Sequence, residues 1–237
     1  MRFFSIPLLA VIALASVAAF AAEPGAVTDS RNAPVAQSAN LPNVLLIGDS
    51  IAGGYTKYVR ALLAGKANVY RESKNEGNTT SGVAHVDEWI AQHPGHWAVI
   101  HFNFGLHDIK LAPRRSEPAY PGGYEAPPDQ YEKNLRTIDA RFKTTGASLI
   151  FATTTPVPDC RLDPPRTKGD EVKYNQIALK VMHDDGVAID DLYNVALPLI
   201  DQIQLKQNVH YTQAGYEILA KSVAASIEAA LAARQGN

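Results

Sequence analysis

The sequence predicts an α/β fold, a three-layer α/β/α sandwich with a central parallel five-stranded sheet. Three observations predict it. Short apolar runs of strand length recur along the chain, each separated from the next by residues with apolar side chains at helical spacing. The first run, Val44-Leu45-Leu46-Ile47, lacks polar–apolar alternation, as expected of a strand buried on both faces. Glycines and turn-forming residues follow the runs, on the carboxyl-end edge where sheets of this kind bind ligands.

The elements follow in order. After the first strand, Gly48-Asp49-Ser50 makes a turn, and Tyr55, Tyr58, Val59, Leu62 and Leu63 mark a helix that Gly65 ends. Ala67 to Tyr70 reads as a second strand. A polar loop, Asn75-Glu76-Gly77-Asn78-Thr79-Thr80-Ser81-Gly82, leads to a helical face of Val83, Val86, Trp89 and Ile90. Trp97 to Phe104 is the third strand, ending at Gly105. Lys110 to Pro128 is rich in Pro, Gly, Arg and Tyr, and is too long for a plain connector. Asp129 is the expected N-cap of a helix with Tyr131, Leu135, Ile138 and Phe142 on one face. Ser148 to Thr153 is the fourth strand, followed by a proline-bearing loop to Lys168. Val172 to Met182 reads as a helix, Val187 to Ile189 as the fifth strand, and Leu192 to Leu205 as helical around Pro198. Thr212 caps a last helix with Tyr216, Leu219, Val223 and Ile227 on one face.

The start of the chain reads as a signal peptide over residues 1–21. Arg2 precedes an apolar run from Ile6 to Phe20, and Ala19-Phe20-Ala21 supplies small residues for cleavage after Ala21. The run is short for a membrane span and contains Pro7. Residues 22–40, rich in Ala, Pro, Ser and Asn, read as a flexible leader. The remainder, 41–237, is long enough for one domain with a sizeable core. The expected location is therefore periplasmic or secreted, with no membrane contact after cleavage. A formal net charge of −2 with no basic stripe argues against a nucleic-acid partner. Cys160 is the single cysteine, so no intramolecular disulfide forms.

Acyl transfer needs a nucleophile, a base within reach, and donors aimed at the developing oxyanion. Ser50, at the end of a buried strand and the start of a helix, is the candidate nucleophile. His210, just ahead of the last helix, is the candidate base. Gly77 could offer a backbone N–H, and Gly105-Leu106-His107-Asp108 a second N–H with an imidazole donor. Each block alone reads equally as ordinary turn geometry. Together, Gly-Asp-Ser, Asn-x-Gly, Gly-x-x-Asp and a late Val-His-x-Thr-x-x-Gly-Tyr resemble the SGNH (GDSL-type) hydrolase family across the whole mature chain. The resemblance implies a flavodoxin-like layering, Ser50 as nucleophile and His210 as base. It further implies an oxyanion hole from Ser50, Gly77 and the third block. No cofactor is expected.

The chain departs from that pattern twice. The third block has His107 where the family carries Asn. The position three residues before the base is Gln207, followed by Asn208, where the family carries Asp. Neither amide can supply the charge that stabilises an imidazolium. The open arrangements are a Ser–His pair oriented by an amide or a carbonyl, an acid from elsewhere (Asp108 or Asp201), or reduced activity.

The other histidines read as structural. His93 and His96 flank Pro94-Gly95 in a loop and do not suggest a metal site. His101 reads as a satisfied core histidine, and His85 and His183 as helix-surface residues. Arg114, Arg115, Arg161 and Arg166 on the long loops, with Tyr120 and Tyr124, are candidate substrate contacts. The expected function is an exported serine esterase acting on short acyl esters, acetyl foremost, of a small molecule or a glycan. The alternatives are an acyltransferase with the same site and a non-catalytic carbohydrate-binding module.

Overall fold

A computed structural model of the chain describes residues 1, 38–71, 76–92, 96–111 and 123–236. The expected signal peptide, nearly all of the leader, and Asn75, His93, Arg114, Arg115 and Tyr120 lie outside the described residues.

The elements alternate as β1 (Asn43–Ile47), α1 (Ser50–Leu62), β2 (Asn68–Arg71), α2 (Thr79–Ala91), β3 (Trp97–Phe102), α3 (Pro128–Lys143), β4 (Ser148–Ala152), α4 (Asp170–Asp184) and β5 (Ala188–Asp190). Then come α5 (Leu192–Ala196), a 3-10 turn (Leu197–Leu199), α6 (Ile200–Ile203) and α7 (Gln213–Gln235). All five strands are parallel, in the order β2-β1-β3-β4-β5. The order reverses beside β1, so the carboxyl end of β1 sits at the switch point where doubly wound sheets bind ligands.

Helix packing makes the two outer layers. Helix α1 lies against α7, while α2 packs on α3 and α3 on α4. Val44, Leu45, Leu46 and Ile47 are each at most 1% exposed, as a strand covered on both faces requires. Phe102 stacks edge-on against Phe142 of α3 and Phe151 of β4, joining sheet to helix through aromatic contacts.

Three expectations are corrected. Helix α3 is capped by Pro127, with Pro128 as its first residue, so Asp129 lies inside the first turn. Proline is pre-set for the first helical position and its missing N–H costs nothing there. The segment 192–205 is not one helix, because Pro198 interrupts it with a 3-10 turn between α5 and α6. His101 is buried, but only half satisfied. Its Nε2 lies 3.0 Å from Asp190 Oδ2, which belongs to a carboxylate that also accepts from Ser222. His101 Nδ1 has no hydrogen-bond partner among the described residues.

Candidate active site

The turn after β1 is built by capping. Asp49 Oδ1 accepts from Ile51 N–H at 2.8 Å, and α1 begins at Ser50. The Ser50 N–H therefore belongs to the first turn, whose donors the helix itself leaves unpaired. Asp49 is buried, and burial raises its carboxyl above the ordinary range against the pull of Ile51 N–H, Arg166, Arg71 and His210.

Beneath this turn lies a buried ion pair. Arg71, the last residue of β2, sends Nη2 to Gly48 O (3.0 Å), Asp49 O (3.2 Å) and Glu76 Oε2 (2.9 Å). The Glu76 side chain is fully covered; burial raises its carboxyl, and Arg71 and the Gly48 N–H pull it back toward the charged form. One guanidinium thus ties the Ser50 turn to the loop that carries Gly77. Gly77 has φ +75°, a left-handed conformation that disfavours any side chain.

The other half of the site hangs on the loop before α7. Leu205 N–H donates to His210 O (2.9 Å) and Thr212 N–H to Ile203 O (2.8 Å), closing a tight loop whose tip, Gln207, has φ +52°. Thr212 Oγ1 then caps α7 through Gly215 N–H. Helices α1 and α7 meet closely because Gly54 has no side chain. A Cβ there would stand 2.1 Å from the Tyr216 ring. The contact brings the start of α1 beside the loop leading into α7.

The result is a hydrogen-bonded chain of three side chains. His210 Nε2 lies 2.8 Å from Ser50 Oγ, and His210 Nδ1 lies 2.7 Å from Asn208 Oδ1. The same Oδ1 accepts from the His210 backbone N–H at 3.0 Å. A backbone N–H only donates, so the Asn208 atom facing it is the carbonyl oxygen. That oxygen in turn requires the proton on Nδ1. Nε2 is then the acceptor, aimed at the serine hydroxyl.

Ser50, His107, Lys110, Leu162, Asp163, Pro164, Arg166 and Gln207 to His210 line a cavity of about 250 Å³. Arg166 is fixed in its wall by Leu106 O (Nε, 2.7 Å) and Pro164 O (Nη1, 3.2 Å). His107 Nδ1 lies 2.8 Å from Lys110 Nζ. Gly77 lies on the same sheet edge, two residues ahead of α2, and is not part of this lining. A second, larger groove of about 650 Å³ runs along Pro156, Val157, Pro158, Tyr193 and Leu205, and meets the first at Gln207.

Other candidates fall elsewhere. Asp108 is not the partner of His210. It is buried and accepts from Thr79 N–H (2.8 Å) and Thr79 Oγ1 (2.6 Å), pinning the start of α2 to the β3 turn. Burial pushes its carboxyl up to about 7. Asp201 lines the larger groove, while Gln207, exposed at the loop tip, borders both cavities without a side-chain contact to His210 among the hydrogen bonds described. Tyr124 donates to Asp170 Oδ2 (2.9 Å) and Arg161 is exposed, both outside the Ser50 cavity lining. Sequence reasoning missed Arg71, Glu76 and Lys110. A charged residue ending a buried strand was the available signal for Arg71. Among the described residues, no group of three or more His, Cys, Asp or Glu side chains is placed to hold a metal ion.

Comparison with known proteins bears on the fold and the family. No curated protein matches the sequence. A lipase/acylhydrolase from Enterococcus faecalis shares the fold at 19% identity and TM-score 0.65, over 80% of this chain and 96% of that one. The acetyl xylan esterase AlAXEase aligns at 16% identity and TM-score 0.63, over 78% and 99%. The acetylxylan esterase Axe2 from Geobacillus stearothermophilus aligns at 20% identity and TM-score 0.61, over 78% and 94%. Residues 46–218 match the GDSL-like lipase/acylhydrolase family, and the chain belongs to that family of ester-bond hydrolases.

Proposed function

We propose that the protein is a serine esterase that removes short acyl groups, acetyl foremost, from a hydroxyl-rich substrate such as a glycan. One observation carries this reading: Ser50 Oγ, His210 and Asn208 form a continuous hydrogen-bonded chain whose tautomer is fixed by a backbone N–H.

The steps follow from that arrangement. Ser50 Oγ attacks the ester carbonyl carbon as its proton passes to His210 Nε2. The carbonyl oxygen becomes an oxyanion, which takes hydrogen bonds from the Ser50 and Gly77 N–H groups and from His107. The Nε2 proton goes to the leaving alkoxide, the C–O bond breaks, and an acyl-Ser50 ester remains. Water then attacks that ester, giving its proton to Nε2. Collapse releases the carboxylic acid and returns the proton to Ser50 Oγ. Asn208 holds the ring but contributes no negative charge.

The cavity supports a short acyl group. At about 250 Å³ it falls below the size of sites for drug-sized ligands, roughly 300 Å³ and upward. Lys110, Asp163, Arg166 and Asn208 give it a polar wall that suits a sugar better than a long alkyl chain. Two of the structures that share the fold are named acetylxylan esterases, which supports acetyl-glycans as the first substrates to try. Export follows from Arg2, the apolar run and the Ala19-Phe20-Ala21 cleavage pattern.

The test is turnover of p-nitrophenyl acetate and release of acetate from acetylated xylan, by wild type and Ser50→Ala. Wild type is expected to turn over both. Ser50→Ala, still folded by circular dichroism, is expected to turn over neither. Equal turnover by the two proteins would overturn the assignment of the nucleophile.

A further inference from the structure

An imidazole in place of an amide donor poses a problem the amide does not have. An Asn side chain always presents N–H. A neutral His presents N–H on one nitrogen and a lone pair on the other, and a lone pair facing an oxyanion would repel it. His107 stands on the turn after β3, between buried Leu106 and Asp108, and faces the cavity shared with Ser50 and His210. Its tautomer therefore decides whether it helps or hinders.

The structure contains a group that decides it. Lys110 Nζ lies 2.8 Å from His107 Nδ1, and the turn that brings them together is closed by Lys110 N–H on His107 O (3.2 Å). The Lys110 side chain is 3% exposed. Its charge is matched by Glu125 Oε1 at 3.5 Å, and Glu125 Oε2 in turn accepts from Asn78 Nδ2, on the residue that caps α2. An ammonium group donates and cannot accept. Nδ1 must therefore carry the lone pair, and the ring proton is on Nε2.

We infer that Lys110 is a positioning residue, which locks His107 as a neutral Nε2–H donor toward the oxyanion formed at Ser50. This rests on the reading of His107 as an oxyanion donor. Lys110 acts through the ring, and no bond to His107 is made or broken during turnover. The same contact makes a second proton on His107 costly, since an imidazolium would stand against a buried ammonium. Among the described residues, the charged and titratable groups that line the cavity with His107 are Lys110, His210, Arg166 and Asp163, with Glu125 behind Lys110. The amide-like constancy that the substitution of Asn by His gives up is thus restored by a neighbour three residues on.

The inference is tested on the full-length protein with p-nitrophenyl acetate. Lys110→Met removes the donor and keeps the bulk. It is expected to lower kcat by about tenfold or more and change KM less than about threefold, as loss of a transition-state contact does. Its pH profile gains an acid-side loss as His107 becomes free to titrate, and Lys110→Arg restores most of the activity. In a His107→Asn background, Lys110→Met should cost less than about threefold, because the two residues act as one unit. An equal loss in both backgrounds would show that Lys110 does not act through His107. His107→Ala separates the two claims. If it leaves turnover near wild type, the donor reading itself fails. If it is costly while Lys110→Met is silent, only the role of Lys110 fails. Nitrogen-15 spectra of His107 in the resting wild-type enzyme read the tautomer without any variant. A protonated Nε2 with bare Nδ1 is expected, and a protonated Nδ1 would overturn the inference.

Discussion

The two ends of the Ser50–His210 contact are held in opposite ways. The turn of the proposed nucleophile, Ser50, is fixed by charge. Arg71 grips Gly48 O and Asp49 O while paired with a Glu76 that no solvent reaches. The proposed base, His210, is fixed by a neutral amide on a partly exposed loop, where Asn208 Oδ1 serves the His210 ring and backbone together. The difference teaches what each end needs. The serine must be placed against oxyanion donors that cannot shift, so a buried pair on rigid strand ends suits it. The imidazole needs the right tautomer and face, which one well-anchored acceptor provides. Replacing the acid of a catalytic triad by an amide is ruinous when it leaves the ring in the wrong tautomer. Here the backbone N–H of His210 keeps the amide oxygen turned inward.

Either end can be disturbed by a single substitution. The largest effect is expected from Ser50→Ala, with turnover down ~10⁴-fold or more, since the members of such a unit fail together. Arg71→Met comes next. It strips the clamp from two carbonyls and leaves Glu76 alone in the interior, so chemical denaturation should report a loss of ~3–5 kcal/mol. Turnover of the protein that remains folded should fall with it.

Asn208→Ala should lower kcat by ~10²-fold with little change in KM, the scale of one lost orienting contact in the transition state. Asn208→Asp sharpens the contrast. It keeps both hydrogen bonds and adds charge beside Nδ1, which favours the protonated ring. Turnover at pH 8 should be retained or rise, while the acid limb of the profile moves to higher pH. A collapse of activity in Asn208→Asp would mean that the amide does more than accept hydrogen bonds.

The smallest effect on turnover concerns Asp108, which acts on stability instead and whose carboxyl burial holds at about 7. The unfolded chain loses that proton near pH 3.9, so between there and pH 7 the folded state holds more protons. Stability therefore falls as pH rises through this window, by up to ~1.4 kcal/mol per pH unit for one such group. Asp108→Asn removes this contribution, and its urea midpoint should vary less between pH 4.5 and 7 than that of wild type.

Much of the fold was legible because its signals are local. Val44 to Ile47 is uniformly apolar since both faces of β1 are covered, and Thr212 announces α7 because a helix start needs a cap. Position 129 misled because an acidic residue serves equally as cap or first-turn residue, and Pro128 decided the matter. Within the site, Ser50 and His210 could be placed on one sheet edge from the order of elements alone. The choice between Gln207 and Asn208 could not, because it turns on the positive φ at Gln207, which swings one side chain outward and the next inward. Arg71 could be flagged as a charge ending a buried strand, but its partnership with Glu76 was hidden for another reason. Their role exists only once β2 is paired beside β1, a contact between strands that no spacing in the sequence encodes.

The central claim is that Ser50 is activated by His210 held through Asn208. A fluorophosphonate ester, read by intact mass with peptide mapping, tests it most directly. Wild type should gain one adduct on Ser50, Asn208→Ala should label far more slowly, and Ser50→Ala should gain none. An unlabelled wild type, or an adduct that persists in Ser50→Ala, would contradict the account.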